Sequence, residues 1–257
     1  MLKKKPVVFI LGISSDIGMF LAGRYSQDGY QIAGTYRNYS RNLKNIGRRT
    51  GLFHCDISRR ESIKKFFADF KNSKIRWDIF ISCVGDLRPY GSFLNADFDE
   101  WGNSVNANSI AQLRILHGLY PFKNKKSKSA AIFFAGAGTN NAAPGLSAYA
   151  VSKIMLIKMC ELIDAESRDL NIFIVGPGFI KTKIHRLIKK NINPGKKETK
   201  LEEVYGGINW LISQGKEIAG GRNFAIANDS IGGNKGKILA KKLLKNADMY
   251  KLRRFKN

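Results

Sequence analysis

The sequence predicts a doubly wound α/β fold, a parallel sheet of about seven strands with helices on both faces, and three observations carry that expectation. Short, β-branched apolar runs alternate with longer stretches of helical periodicity from end to end, the pattern of repeated strand and helix units. Most of those runs are almost unbroken in apolar residues, as strands are when helices cover both faces. Nothing in the 257 residues reads as an internal repeat, a low-complexity tract or a dividing linker, so one domain spanning 1–257 is expected.

Taken in order, strands are expected at Val7–Leu11, Gln31–Tyr36, Gly51–Cys55, Ile79–Val84, Ala130–Ala135, Asn171–Val175 and Asn223–Ala227. Helices are expected at Ile17–Gln27, Ser62–Phe70, Asp99–Leu119, Ser147–Glu166 and Glu202–Ile212, each with apolar residues recurring every three or four positions. The basic front before Val7 is followed by no small-residue cleavage pattern, so the apolar stretch behind it reads as the first strand rather than a secretion signal. Lys181–Lys200 and the lysine-rich tail over 232–257 are the least ordered candidates.

Composition narrows the class. Hydrophobic residues make up 44% of the chain and charged ones 25%, and no apolar run approaches the roughly 20 residues that cross a bilayer, so a cytoplasmic protein is expected. Cys55, Cys83 and Cys160 are far apart, and His54, His117 and His185 equally so; no metal site and reduced thiols are expected. The net charge of +24 predicts attraction to polyanions, from nucleotides and phosphorylated substrates to nucleic acids and acidic membranes, without choosing among them. Abundant Lys, Asn and Ile also fit a composition-skewed genome.

Three segments carry chemistry. The first strand runs into Gly12-Ile13-Ser14-Ser15-Asp16-Ile17-Gly18 and then a helix, a turn of small residues whose helix-end N–H groups suit a pyrophosphate. The second strand ends in Arg37, with Ser40 and Arg41 behind it and no Asp or Glu near in sequence. An acid there would bond a ribose 2′-hydroxyl, whereas an arginine pairs with a 2′-phosphate, so NADP is expected over NAD. Finally, Tyr149-Ala150-Val151-Ser152-Lys153 puts a phenol and an ammonium on one helical face. A free tyrosine titrates near 10, and a neighbouring cation that stabilises the phenolate makes it a better proton shuttle.

In this order and at these distances the motifs resemble the short-chain dehydrogenase/reductase family, from Val7 to about Ala227. Leu11 and Asp16 replace the threonine and middle glycine of the family's T-G-x-x-x-G-x-G turn. Asp56-Ile57 matches its pair beside the adenine, and Ser82-Cys83-Val84-Gly85 matches its N-N-A-G strand end only in the small residue and Gly85. Asn106 matches the helix asparagine that holds a water linking the lysine to solvent, and Pro177 and Thr182 match the segment that receives the nicotinamide carboxamide. The resemblance implies a Rossmann-like fold and NADP-dependent hydride transfer to or from a carbonyl or alcohol. It makes Tyr149 the general acid/base, with Lys153 also on the nicotinamide ribose. It places Gly12, Ser14, Ser15, Asp16, Ile17, Gly18, Arg37, Asp56, Ile57, Cys83, Gly85, Pro177 and Thr182 around the cofactor. It also implies a homodimer or homotetramer built through the two long helices containing Asn106 and Tyr149.

The chain departs from the family at one position of consequence. The serine expected thirteen residues before the tyrosine, which bonds the reacting oxygen, is Gly136 here. Thr139, Asn140, a substrate group or water supplies the missing donor, or the protein is slow or inactive; the last option is a non-catalytic NADP-binding regulator. The family's substrate lid falls on Lys183, His185, Arg186, Lys189, Lys190, Lys196, Lys197 and Lys200 against the single acid Glu198, which suits a phosphorylated or nucleotide-linked substrate. Gly136 to Asn141 and Tyr250 to Arg254 look like family members of bacterial surface-glycan gene clusters, so a sugar or sugar nucleotide is the leading substrate class. No specific nucleic-acid or membrane partner is predicted, although Lys235 to Lys256 leaves a polyanion-binding tail open as an alternative.

Overall fold

The computed structural model describes residues 5–47, 49–182 and 198–253. Seven strands form one sheet: β1 (Val7–Leu11), β2 (Gln31–Tyr36), β3 (Arg49–His54), β4 (Ile79–Ser82), β5 (Ser129–Phe134), β6 (Leu170–Gly176) and β7 (Asn223–Ala225). Their order is β3-β2-β1-β4-β5-β6-β7, every pairing parallel, which is the expected doubly wound topology. The helices are α1 (Asp16–Gln27), α2 (Arg60–Asn72), α3 (Phe98–Val105), α4 (Ala111–Leu119), α5 (Ser147–Glu166), α6 (Leu201–Ala219) and α7 (Gly233–Lys245).

Alternation along each strand feeds two cores. Val8 and Ile10 of β1 enter the layer with Leu21 of α1, Ile208 of α6 and Leu243 of α7, whereas Val7, Phe9 and Leu11 enter the layer with Phe66 of α2, Ile115 of α4 and Leu156 of α5. Phe9 packs against the rings of Phe66, Phe70 and Phe80. That explains the unbroken apolar runs: both strand faces are inside.

Two expected elements are altered. The helix expected over Asp99–Leu119 is α3 and α4 joined by a π turn, Asn106–Ile110, in which the Ser109 hydroxyl donates to the Val105 carbonyl at 2.6 Å. π turns interrupt helices mostly at functional sites. The helix expected to stop at Ile212 continues to Ala219 past a break at Gly215, whose φ is 69°.

The lysine-rich end after Gly232 corrects the expectation of little order. Its residues Leu239, Ala240 and Leu243 recur at helical spacing, and α7 buries them while leaving its lysines outside. Gly236 permits a close approach to α6, since a Cβ there would lie 2.8 Å from Nε1 of Trp210. Beyond the helix, buried Arg222 donates to the carbonyls of Leu243, Asn246 and Met249, and Arg253 pairs with Glu161 and Asp248. Of the expected lid, Lys183, His185, Arg186, Lys189, Lys190, Lys196 and Lys197 lie outside the described residues. Among the described residues no helix is long and apolar enough to cross a membrane.

Candidate active site

The strand order reverses between β1 and β4, and a cleft of about 450 Å³ opens at the carboxyl ends of those strands. Gly12, Ser14, Ser15, Asp16 and Ile17 line it from the turn into α1, Arg37, Asp56 and Ile57 from the ends of β2 and β3, Cys83 and Gly85 from the end of β4, and Thr182 from beyond β6. Eleven of the positions expected around a dinucleotide therefore share one cavity.

The glycine turn is held from three sides. Gly12 has φ +76°, and a Cβ there would stand 3.0 Å from the Val84 side chain and 3.3 Å from the Cys83 carbonyl. Its N–H donates to the Thr35 hydroxyl at 3.1 Å, and the Ile13 N–H donates to the Thr35 carbonyl at 2.8 Å. Ser15 caps α1 by accepting from the Gly18 N–H at 3.0 Å. Gly18 itself has no room for a side chain, because a Cβ would lie 2.6 Å from the Gly12 carbonyl oxygen. A flat, side-chain-free turn at a helix N-terminus fits a pyrophosphate.

At the ends of β2, β3 and β4 the charges are arranged less simply than the sequence suggests. Exposed Arg37 has no acid beside it in the chain, yet Asp56 and Asp86 both feel its charge. Burial works to raise the Asp56 pKa, but bonds from the Ser58 N–H and hydroxyl at 3.0 and 2.7 Å, with the charges of Arg37 and Arg59, hold it below the ordinary carboxylate range. Asp86 is likewise opposed by burial and held low by a two-pronged pair with Arg88, at 3.0 and 2.6 Å. Sequence reading missed Asp86 and Arg88; both line the cleft.

The catalytic end stands on α5. Tyr149 and Lys153 lie side by side, with Nζ 5.4 Å from the ring centroid. Lys153 is 1% exposed, and burial lowers its pKa to about 8. Burial also pushes Tyr149 up to about 12. In this arrangement desolvation outweighs the lysine's charge, so the phenol is not depressed as the pairing alone would suggest. At Gly136 a Cβ would collide with the Tyr149 hydroxyl and lie 2.7 Å from its Cζ. Thr139 is turned away, its hydroxyl donating to the Gly136 carbonyl at 3.0 Å, and Asn140 is exposed.

The two asparagines of this region are held differently. Half-buried Asn106 begins the π turn, and no side-chain hydrogen bond of it is found among the described residues. Asn108 is fully buried; it accepts from the Asp86 N–H and donates to the Asp86 carbonyl, both at 2.8 Å, and also donates to the Ser104 carbonyl at 3.0 Å. Gln112 bonds the Ser82 hydroxyl at 2.7 Å, so the small residues at the end of β4 are tied to the helix as well. The signal was available: Ser104, Asn108 and Gln112 are polar residues spaced by four on one buried face. Pro177 follows β6, and the Thr199 N–H bonds the Phe179 carbonyl at 2.7 Å, which pins the segment leading to Thr182.

Comparison with known proteins agrees with this geometry. A family model described as enoyl-(acyl carrier protein) reductase matches residues 12–226. The chain is 24% identical over 219 residues to the 3-oxoacyl-(acyl-carrier-protein) reductase MabA of Mycobacterium tuberculosis, covering 80% of this chain and 85% of that protein. It is 22% identical over 244 residues to dehydrogenase/reductase SDR family member 4 of Bos taurus, covering 88% and 87%. Among solved structures, a short chain dehydrogenase from Shigella flexneri complexed with NADP superimposes with a TM-score of 0.77 at 19% identity, over 88% of this chain and 98% of that one. The 4-hydroxyisoleucine dehydrogenase complexed with NADH gives 0.75 at 20% identity, over 86% and 96%. With its sheet order, its glycine turn and a family model matching most of its length, the chain belongs to the short-chain dehydrogenase/reductase family of nicotinamide-dependent oxidoreductases.

Proposed function

We propose that the chain is an NADP-preferring enzyme that interconverts a carbonyl and an alcohol. The observation that carries this reading is the union of the glycine turn, Arg37 and Thr182 in one cleft, at the same end of the sheet as Tyr149 and Lys153. Gly12 and the first turn of α1 would hold the pyrophosphate, Asp56 and Ile57 the adenine, Lys153 the nicotinamide ribose, and Pro177 and Thr182 the carboxamide. When bound, the dinucleotide supplies or accepts a hydride at the substrate carbon. Tyr149 Oη gives the reacting oxygen its proton in reduction and takes it back in oxidation, while Lys153 holds charge beside the phenol. Asn106 would hold the water that links Lys153 to solvent, while Asn108 positions the end of β4 by fixing the backbone of Asp86.

The preference for NADP rests on what each charge already does. Asp86 is occupied by Arg88 and Asp56 by Ser58, which leaves the Arg37 guanidinium as the group able to turn to a 2′-phosphate. A sugar or nucleotide-linked sugar is the proposed substrate class, supported by the net charge of +24. A second reading, an acyl thioester on a carrier protein, is favoured by the names of MabA and of the matching family model. Self-association through the helices carrying Asn106 and Tyr149 is supported by the exposed Ile110, Val151, Ile154 and Leu162 on them.

Fluorescence titration with NADPH and NADH, followed by NADPH consumption with keto sugars, nucleotide-linked keto sugars and an acetoacetyl thioester, tests the proposal. Tighter NADPH binding and turnover of the sugar carbonyls are expected. Tighter NADH binding overturns the cofactor preference, and tight NADPH binding without turnover turns the reading to the regulator.

A further inference from the structure

Among the described residues, no hydroxyl side chain beside Tyr149 is placed to donate to a reacting oxygen, and the room for one at position 136 is already taken. Gly136 carries no side chain, and any Cβ there would run into the phenol of Tyr149. The tyrosine thus occupies the volume that a hydroxyl side chain would need. Neighbouring hydroxyls are spent on the protein itself: Thr139 on the Gly136 carbonyl at 3.0 Å and Ser152 on the Tyr149 carbonyl at 2.6 Å. Ser147 accepts from the Trp101 indole at 3.0 Å and faces a separate hollow lined by Tyr90 and Trp101. Asn108 is fully engaged with Ser104 and Asp86, and no side-chain bond among the described residues holds the exposed Asn140 toward Tyr149. Lys153 is buried, and Tyr149 beside it is half-buried. Removing one donor from a developing oxyanion costs about 10² to 10³ in rate.

We infer that the substrate brings the second donor itself, as a hydroxyl on the carbon next to the reacting carbonyl, so that the enzyme acts on α-hydroxy carbonyl compounds and, in reverse, on vicinal diols. The inference rests on the carbonyl reading proposed above and narrows it. A ketone within a polyol has such neighbours; a β-keto thioester has none. In reduction the carbonyl carbon gains a hydride from the reduced nicotinamide dinucleotide, and the π pair moves to oxygen. That oxygen takes the proton of Tyr149 Oη, whose O–H bond breaks. The neighbouring hydroxyl keeps its own proton and donates only a hydrogen bond.

Matched ketones test this, namely hydroxyacetone against methoxyacetone and benzoin against benzoin methyl ether, because a methoxyl withdraws electrons but has no proton to donate. With NADPH, the hydroxy member of a pair is expected to have the higher kcat/KM, on the order of 10²-fold. A ratio below about tenfold overturns the inference while leaving the carbonyl reading in place. A second measurement needs no turnover: in the complex with NADP⁺, which cannot reduce the carbonyl, saturation-transfer NMR competition is expected to show tighter binding of the hydroxy ketone. Equal affinity for the two members overturns the inference whatever the rates. If no ketone or keto sugar is reduced while NADPH binds tightly, the carbonyl reading itself fails, and the inference with it.

Discussion

The active site has two ends, the glycine turn that lines the cleft and the catalytic pair on α5 that lies outside its lining, and they are built on opposite terms. At the glycine turn every constraint is satisfied by the protein: Thr35 takes the N–H groups of Gly12 and Ile13, Ser15 takes that of Gly18, and neither glycine has space for a side chain. At the catalytic end the phenol fills the vacancy at Gly136, and burial shifts both Tyr149 and Lys153 toward their neutral forms. The turn is shaped before any ligand arrives, so binding there costs little reorganisation. At the catalytic pair burial works against both charged forms, so proton transfer there depends on the buried surroundings of Tyr149 and Lys153.

The largest expected effect separates the two ends. Tyr149→Phe keeps the ring against Gly136 and removes the proton donor, so turnover should fall by about 10² to 10⁴ or more while NADPH affinity, read by fluorescence titration, stays nearly unchanged. Lys153→Ala should reduce both, since one ammonium serves the phenol and the ribose. Wild-type rates in Tyr149→Phe would sink the proposed chemistry.

Next in size is the cofactor choice. Arg37→Asp removes a cation and adds a carboxylate beside Asp56 and Asp86, so NADPH should weaken by roughly tenfold to a hundredfold, the worth of one or two charge-assisted bonds. NADH should then bind as well or better. An unchanged NADPH dissociation constant would mean that Arg37 is a solvated charge and that another cation, with Arg88 the nearest candidate, meets the phosphate.

How far the sequence goes differs between the ends as well. The strand boundaries of β1 and β2, the span of α5 and the glycine turn are all legible, because each is set locally by apolar runs, small residues and a cap. Asp86 and Arg88 are not, since they follow β4 and meet Arg37 only when β1, β2 and β4 lie side by side. Asn108 is marked in the sequence only by its place between Ser104 and Gln112 at spacings of four, and its bonds to Asp86 appear only once the π segment has turned it inward. In α7 the lysines masked the apolar stripe that packs the helix onto α6. The contact of Tyr149 with Gly136 is a property of side-chain volume in space, and no spacing encodes it.

The shifts at the catalytic end predict a dependence on pH with a definite sign. Burial leaves Lys153 with a folded pKa of about 8 against an unfolded value near 10.4, so between these pH values the unfolded chain binds more protons and this residue makes stability rise with pH. Tyr149 acts in the opposite sense between about 10 and 12, where the unfolded phenol ionises first. Chemical denaturation of wild type and Lys153→Met across pH 7 to 10 should show the rise in the former and a flatter profile in the latter. Parallel profiles would place the ammonium in contact with water and remove the dry corner on which the contrast between the ends depends.

The smallest expected effect probes the preorganised end alone. Ser15→Ala removes the oxygen that accepts from the Gly18 N–H, and a lost N-cap costs about 1 kcal/mol, so the melting temperature should drop by roughly 2–4 °C for a chain of this size. The same cap fixes the turn that faces the dinucleotide, so NADPH should weaken by a factor of about five, the equivalent of that free energy. Once NADPH is saturating, kcat should return to its wild-type value, because neither Tyr149 nor Lys153 touches the cap. A variant that loses kcat at saturation would show that strain at the glycine turn reaches α5 across β4 and β5, and that the two ends are one mechanical unit rather than two.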